Sequence, residues 1–167
     1  MKFDIGDKVV HPQHGVGYVA DREEKQFEPN TSRTYYVVVI PDTTLWVPVD
    51  LPTSGLRKLG LKSELEHCRE VLQSAPLALK PDRGLMASLA DQINQGTVID
   101  HCEVVRDLNA FGWHKRLYGP IAEFQRILMN VLCQEWAAVE GVSLLEASHE
   151  ISVLLKQGRV AHDHRTG

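Results

Sequence analysis

The stretch Gly6-Asp7-Lys8-Val9-Val10-His11-Pro12-Gln13-His14-Gly15-Val16-Gly17-Tyr18-Val19 decides the fold class of this chain. Gly6-Asp7 reads as a turn, because glycine accepts positive φ and an Asp side chain bonds its own backbone. Lys8–Val10 is a short β-branched strand, and Pro12, which cannot donate to a sheet ladder, ends it. Gly15 and Gly17 suit a tight reversal into a second, strongly bent strand, Val16–Ala20. Two strands this short and this close, opened and closed by turn residues, are how a small β-barrel begins.

The β pattern continues outward. Asp21–Ser32 is polar, contains Pro29 and reads as a loop; Thr34–Ile40 is a strong β run. Pro41-Asp42-Thr43-Thr44 reads as a turn, Leu45–Val49 as the return strand and Leu56–Lys58 as a short fifth strand. From Ser63 the apolar period becomes helical. Ser63 with Glu66, Thr97 with Asp100 and Ser143 with Glu146 have capping-box spacing, and Pro120 suits the first turn of a further helix. The predicted helices cover 64–74, 82–94, 97–109, 120–140 and 144–157, with Gly158 as a stop. The expectation is an α+β protein: an SH3- or Tudor-like barrel over 1–60, an all-α bundle of about five helices over 61–160, and a flexible tail over 161–167.

Composition narrows the function. The 167 residues carry 18 Lys plus Arg against 22 Asp plus Glu, a net charge of −4. Up to Leu59 there are 7 basic and 8 acidic residues, and beyond it 11 and 14. Neither part has the basic excess of a protein that holds nucleic acid unaided. No apolar run approaches the ~20 residues of a membrane span. The first residues have no signal-peptide core, and three widely spaced cysteines, Cys68, Cys102 and Cys133, suggest reduced, buried thiols in a cytoplasm.

Chemical motifs are sparse. Gly15-Val16-Gly17-Tyr18-Val19-Ala20 matches the dinucleotide pattern G-x-G-x-x-A, but the polar Asp21–Ser32 cannot supply the crossover helix that pattern needs. His11 and His14 have no second ligand pair at metal-binding spacing, so they read as turn histidines. Cys102 lies on an apolar stripe and adjacent His101 points about 100° away. Neither catalytic residue, metal ligand nor cofactor is expected. Contact surface stands out instead: Tyr35, Tyr36 and Trp46 lie on strands expected to pair, and Trp46, beside Val47-Pro48, is the preferred exposed anchor.

Phe3, Gly6–Val10, Pro12, Gly15–Gly17, Val19, Tyr35-Tyr36, Val47-Pro48-Val49 and Gly55-Leu56-Arg57-Lys58, followed by Glu103–Leu108 after Gly96, resemble the CarD/CdnL family. The N-terminal module of that family is shared with the transcription-repair coupling factor. The resemblance implies a cytoplasmic, nucleoid-associated transcription regulator. Its β module would dock on the β subunit of bacterial RNA polymerase by adding to a sheet edge, and its helical domain would lie beside promoter DNA. It places Lys25, Tyr35, Tyr36, Trp46 and Pro48 at or near the polymerase-facing positions. The family's tryptophan wedge falls at or next to Asp82, where this chain has no aromatic residue. The remaining DNA-facing candidates are Lys80, Arg83, Leu85, Met86, Trp113, Lys115 and Arg116. For Trp113, packing between helices is the alternative reading. A polymerase-binding adaptor without DNA contact is the first alternative function, and a nucleotide-binding protein using the Gly15–Ala20 loop is the second.

Overall fold

The computed structural model describes residues 2–51 and 54–166. Five strands, β1 (Lys8–His11), β2 (Gly15–Glu28), β3 (Thr31–Ile40), β4 (Thr43–Pro48) and β5 (Arg57–Lys58), form one antiparallel sheet in the order β4-β3-β2-β1-β5. Five helices follow: α1 (Lys62–Gln73), α2 (Leu85–Gln95), α3 (Val98–Phe111), α4 (Gly119–Glu140) and α5 (Leu144–Thr166). The expected α+β arrangement, with a Tudor-like β module followed by five helices, is the one observed.

Asp21–Ser32 is not a loop. It forms the outer half of a long β2–β3 hairpin, with Arg22 opposite Tyr36, Glu23 opposite Tyr35 and Lys25 opposite Arg33. The reversal lies at Pro29-Asn30, where Asn30 takes φ 65°. Register shifts between Val19 and Asp21 and between Lys25 and Glu28 bend the ribbon, as extra residues in one strand do. The G-x-G-x-x-A glycines therefore lie in an antiparallel ribbon with no helix after them. Alternation assigns one face of the sheet to a core of Phe3, Val9, Val19, Tyr36, Val38, Ile40, Val47 and Leu56.

The helices pack around Leu65, Cys68, Leu72, Leu108, Leu132, Trp136 and Ile151. The capping boxes at Thr97 and Ser143 form: Thr97 N–H donates to Asp100, and Ser143 and Glu146 exchange reciprocal bonds of 3.0 and 3.1 Å. The one expected at Ser63 does not. Leu61 is the N-cap, its N–H donating to Glu64 at 2.9 Å, two residues earlier. Gly158 does not end α5, which continues to Thr166 through the segment expected to be a tail. Glycine is needed there for another reason: a Cβ would come within 2.8 Å of the Leu72 carbonyl, where α5 crosses the end of α1. Arg69 ties α1, α4 and α5 together by pairing with Glu66, Glu140 and Glu150.

Two consecutive α4 residues join the helices to the sheet. Glu135, 0 % exposed, accepts two bonds from the Arg57 guanidinium at 2.6 and 2.7 Å and one from Gly60 N–H at 2.8 Å. Gln134 Oε1 accepts from Val16 N–H at 3.2 Å. Gly15, at φ +90°, leaves the space Gln134 occupies, since a Cβ there would collide with its amide.

Removing one partner strands a buried charge, so Arg57→Ala should cost about 3–5 kcal/mol in urea denaturation. The double variant Arg57→Met/Glu135→Leu should recover most of that loss. His101 supplies an independent check. Burial lowers its pKa from 6.5 to about 4, the nearby Arg57 charge adding to the effect while the Leu128 hydrogen bond and Glu135 oppose it. The unfolded chain takes up this proton near pH 6.5 and the folded one does not, so stability is complete above that pH and is lost as pH falls toward 4. The slope in that window should include about 1.4 kcal/mol per pH unit from His101, and His101→Gln should lack it.

Candidate interaction surfaces

The sheet's second face is only partly covered by α4, and its outer part gathers four of the five residues expected to face a partner. Antiparallel pairing sets Tyr35 opposite both Glu23 and Pro48, and Trp46 opposite Val37. Directly opposed residues share a face, so Lys25, Tyr35, Trp46 and Pro48 all look outward. Lys25 Nζ sits 4.6 Å from the Trp46 ring centre, and Trp46 Nε1–H donates to Glu23 at 3.3 Å. The Trp46 side of this arrangement is 39 % exposed, which leaves a contact face that is already oriented. Phe27, near the hairpin tip, meets the Tyr35 ring edge-on at 5.1 Å and adds an exposed aromatic that a loop reading of its segment hid.

Tyr36 is the exception. It points to the opposite face, is 2 % exposed, stacks edge-on with Phe3 and takes the Phe3 N–H on its hydroxyl at 3.1 Å. It is a core residue of the β module, not a surface contact. Beside this face, β4 is the end strand of the sheet, paired only with β3 among the described residues. Such an edge carries free backbone donors and acceptors that a further strand can use.

A second surface lies where α2 begins and the α3–α4 connection returns. Pro81, Asp82, Leu85, Met86, Phe111, Lys115, Arg116, Leu117, Tyr118, Pro120 and Ile121 line an open, mostly apolar groove of about 420 Å³. It brings together Leu85, Met86, Lys115 and Arg116, with Lys80 and Arg83 next to its lining residues in the chain. Leu85 and Met86 are half-buried walls, so neither is a protruding wedge. Asp82 has a structural task here: its carboxylate accepts from Gly84 N–H at 3.0 Å and shapes the turn into α2.

Trp113 does not line this groove. It packs against His162 at 5.4 Å and beneath Arg159 at 5.1 Å, joining the end of α3 to α5. That is the packing alternative. Sequence reasoning missed Tyr118, a ring 71 % exposed with Arg116 stacked 5.5 Å from its centre. The Arg116-x-Tyr118 spacing before Gly119-Pro120 was the available signal.

The remaining chemical candidates resolve into structure. His11 Nδ1 accepts backbone N–H bonds from Gln13 and His14 at 3.2 and 3.3 Å, which makes it a turn-forming side chain. Burial and the His14 charge lower its pKa to about 4. His101 Nε2 bonds to the Leu128 carbonyl at 2.8 Å, and burial pushes the Cys102 thiol up. Among the described residues, no group of three or more His, Cys, Asp or Glu is placed to hold a metal, and no helix is long and apolar enough to cross a membrane.

Residues 3–60 match the family model of the CarD-like/TRCF RID domain. The chain is also 28% identical over 145 residues to YdeB of Bacillus subtilis (strain 168), which its name describes as a transcription factor. That alignment spans 84% of this chain and 94% of the relative.

Trp46 and Trp113 should separate by their effect on the free protein. Trp113→Ala should lower the unfolding free energy by about 1 kcal/mol or more through lost packing and cation–π contact. Trp46→Ala, on the sheet's outer face, should change it by less than Tyr36→Ala, for which about 3–5 kcal/mol is expected from a large aromatic removed from a core. Urea titrations of the three variants make the comparison.

Proposed function

We propose that the chain, whose residues 3–60 match the CarD-like/TRCF RID domain, is a transcription regulator docking on the β subunit of bacterial RNA polymerase. The observation that carries this reading is the coincidence, on one side of the β module, of an open strand edge and the oriented Lys25–Trp46 pair. Backbone pairing along β4 would supply affinity, and Lys25, Tyr35, Trp46 and Pro48 would supply specificity. A nearby tryptophan is a favoured hot-spot residue in such contacts.

The helical domain then lies near promoter DNA and alters the lifetime of the open complex. Docking raises its local concentration there, so a weak DNA contact suffices in a chain of net charge −4. The groove at α2 is the part of that domain suited to the contact. Asp82, at or next to the position where the resemblance expects a tryptophan, favours the second reading, an adaptor on polymerase that recruits another protein without touching DNA.

Full-length protein should be retained by RNA polymerase, and Trp46→Ala should weaken retention about ten-fold or more while Trp113→Ala leaves it intact. Equal retention of the Trp46→Ala and unaltered proteins would remove the docking face from the proposal. Open-complex lifetime with and without the bound protein separates the two readings: no change in lifetime, with retention intact, selects the adaptor.

A further inference from the structure

We propose that Tyr118 is a stacking platform for an unpaired nucleobase, and that the groove beneath it seats a short single-stranded DNA segment. The proposal deepens the promoter-facing part of the function above and rests on that reading for the source of the strand. Four observations converge. Tyr118 is the most exposed large hydrophobic or aromatic side chain but one among the described residues, at 71 %, so its ring is not part of the core. Arg116 lies over the ring, 5.5 Å from its centre, so the guanidinium covers one face and a base would stack on the other. The groove next to the ring is walled by Leu85, Met86, Pro120 and Ile121, apolar surface against which a base, but not a phosphate, gains by burial.

The fourth observation is electrostatic. Lys80, Arg83, Lys115 and Arg116 form no ion pair among the described residues. Arg57, Arg69 and Arg106, by contrast, are each held by carboxylates. Lys115 and Arg116, unspent cations lining an apolar groove with an exposed ring, complement a strand that is both anionic and aromatic, and Lys80 and Arg83 adjoin the lining in the chain. Asp82 is the one acid of the lining, and the Lys115–Arg116 side is therefore where the strand's phosphates fit.

Single strands are favoured over duplex by geometry. A base in a duplex has both faces covered by its neighbours, so a protein ring meets a base face only after unstacking. Stacking of this kind tolerates any base, which suits a contact at a melted segment of variable sequence.

Binding of full-length protein to two labelled DNA probes, a forked duplex with an unpaired arm and the fully paired duplex, tests the proposal by fluorescence anisotropy at low salt. The forked probe should bind more tightly. Tyr118→Ala should weaken forked-probe binding about ten-fold and leave duplex binding unchanged, while Tyr118→Phe should retain it. Lys115→Gln and Arg116→Gln should weaken both probes and flatten the salt dependence. Equal affinity for the two probes, absence of binding to either, or equal loss in Tyr118→Phe and Tyr118→Ala would overturn it. Circular dichroism melting confirms that each variant is folded. No polymerase is present in this assay, so its failure with polymerase retention intact would remove the stacking role and leave the docking proposal standing.

Discussion

The carboxylate of Glu135 is the constraint on which the arrangement of the sheet against the helices depends. It is fully buried, yet all its hydrogen bonds go to the N-terminal domain's last strand and the connection beyond it: two from Arg57, on β5, and one from Gly60 N–H. A buried charge is expensive unless it is paired and bonded on both oxygens, and the fork of an arginine meets that demand in only one orientation. Any rotation of the sheet against α4 would therefore expose an unpaired ion on each side. Gln134, one residue earlier, repeats the constraint on β2. Hydrophobic contact alone would permit sliding; this pair of directional bonds does not.

The consequence is a fixed spacing between surfaces. Helix α4 contributes Pro120 and Ile121 to the groove and Gln134 and Glu135 to the sheet contact. Fourteen residues of helix separate Pro120 from Gln134 and measure about 20 Å along the axis. A partner gripped by the sheet would therefore meet the groove at a set distance and orientation. Effective concentration is gained only when the geometry permits both contacts at once, and a rigid spacer confines that gain to partners of matching shape.

Where local chemistry alone sets the outcome, the structure was legible in the sequence. Pro12, the two glycines after it, the β-branched runs and Leu56–Lys58 placed all five strands, though not the outer half of β2, and the capping residues Thr97 and Ser143 placed two helix starts within one residue. The outer hairpin was not legible because Asp21–Glu28 extends past the core, so both of its faces meet water and no alternation marks it as a strand. Gly158 misled for a related reason. A glycine that opens space for a neighbouring backbone looks the same in sequence as one that ends a helix. Tyr35 and Tyr36 show the limit at a site: adjacent strand residues face opposite ways, so one identical side chain is surface and the other core. Only the register with β4 tells them apart.

Net charge also reads differently once partners are known. The excess of acids suggests a chain that repels nucleic acid, but Glu135 neutralises Arg57, Asp107 holds Arg106, and Glu66, Glu140 and Glu150 surround Arg69. In Asp107 the same carboxylate also fixes the α1–α2 connection through Leu77 N–H. Charges matched inside the fold contribute little to the field beyond about a Debye length, whereas unmatched ones at a groove act directly on what enters it. The cations left unpaired around Leu85 and Tyr118 therefore weigh more at that surface than the total of −4 indicates. A nucleic-acid contact in an acidic chain requires only that the acids be occupied elsewhere, and in this fold the most deeply buried of them hold the architecture together.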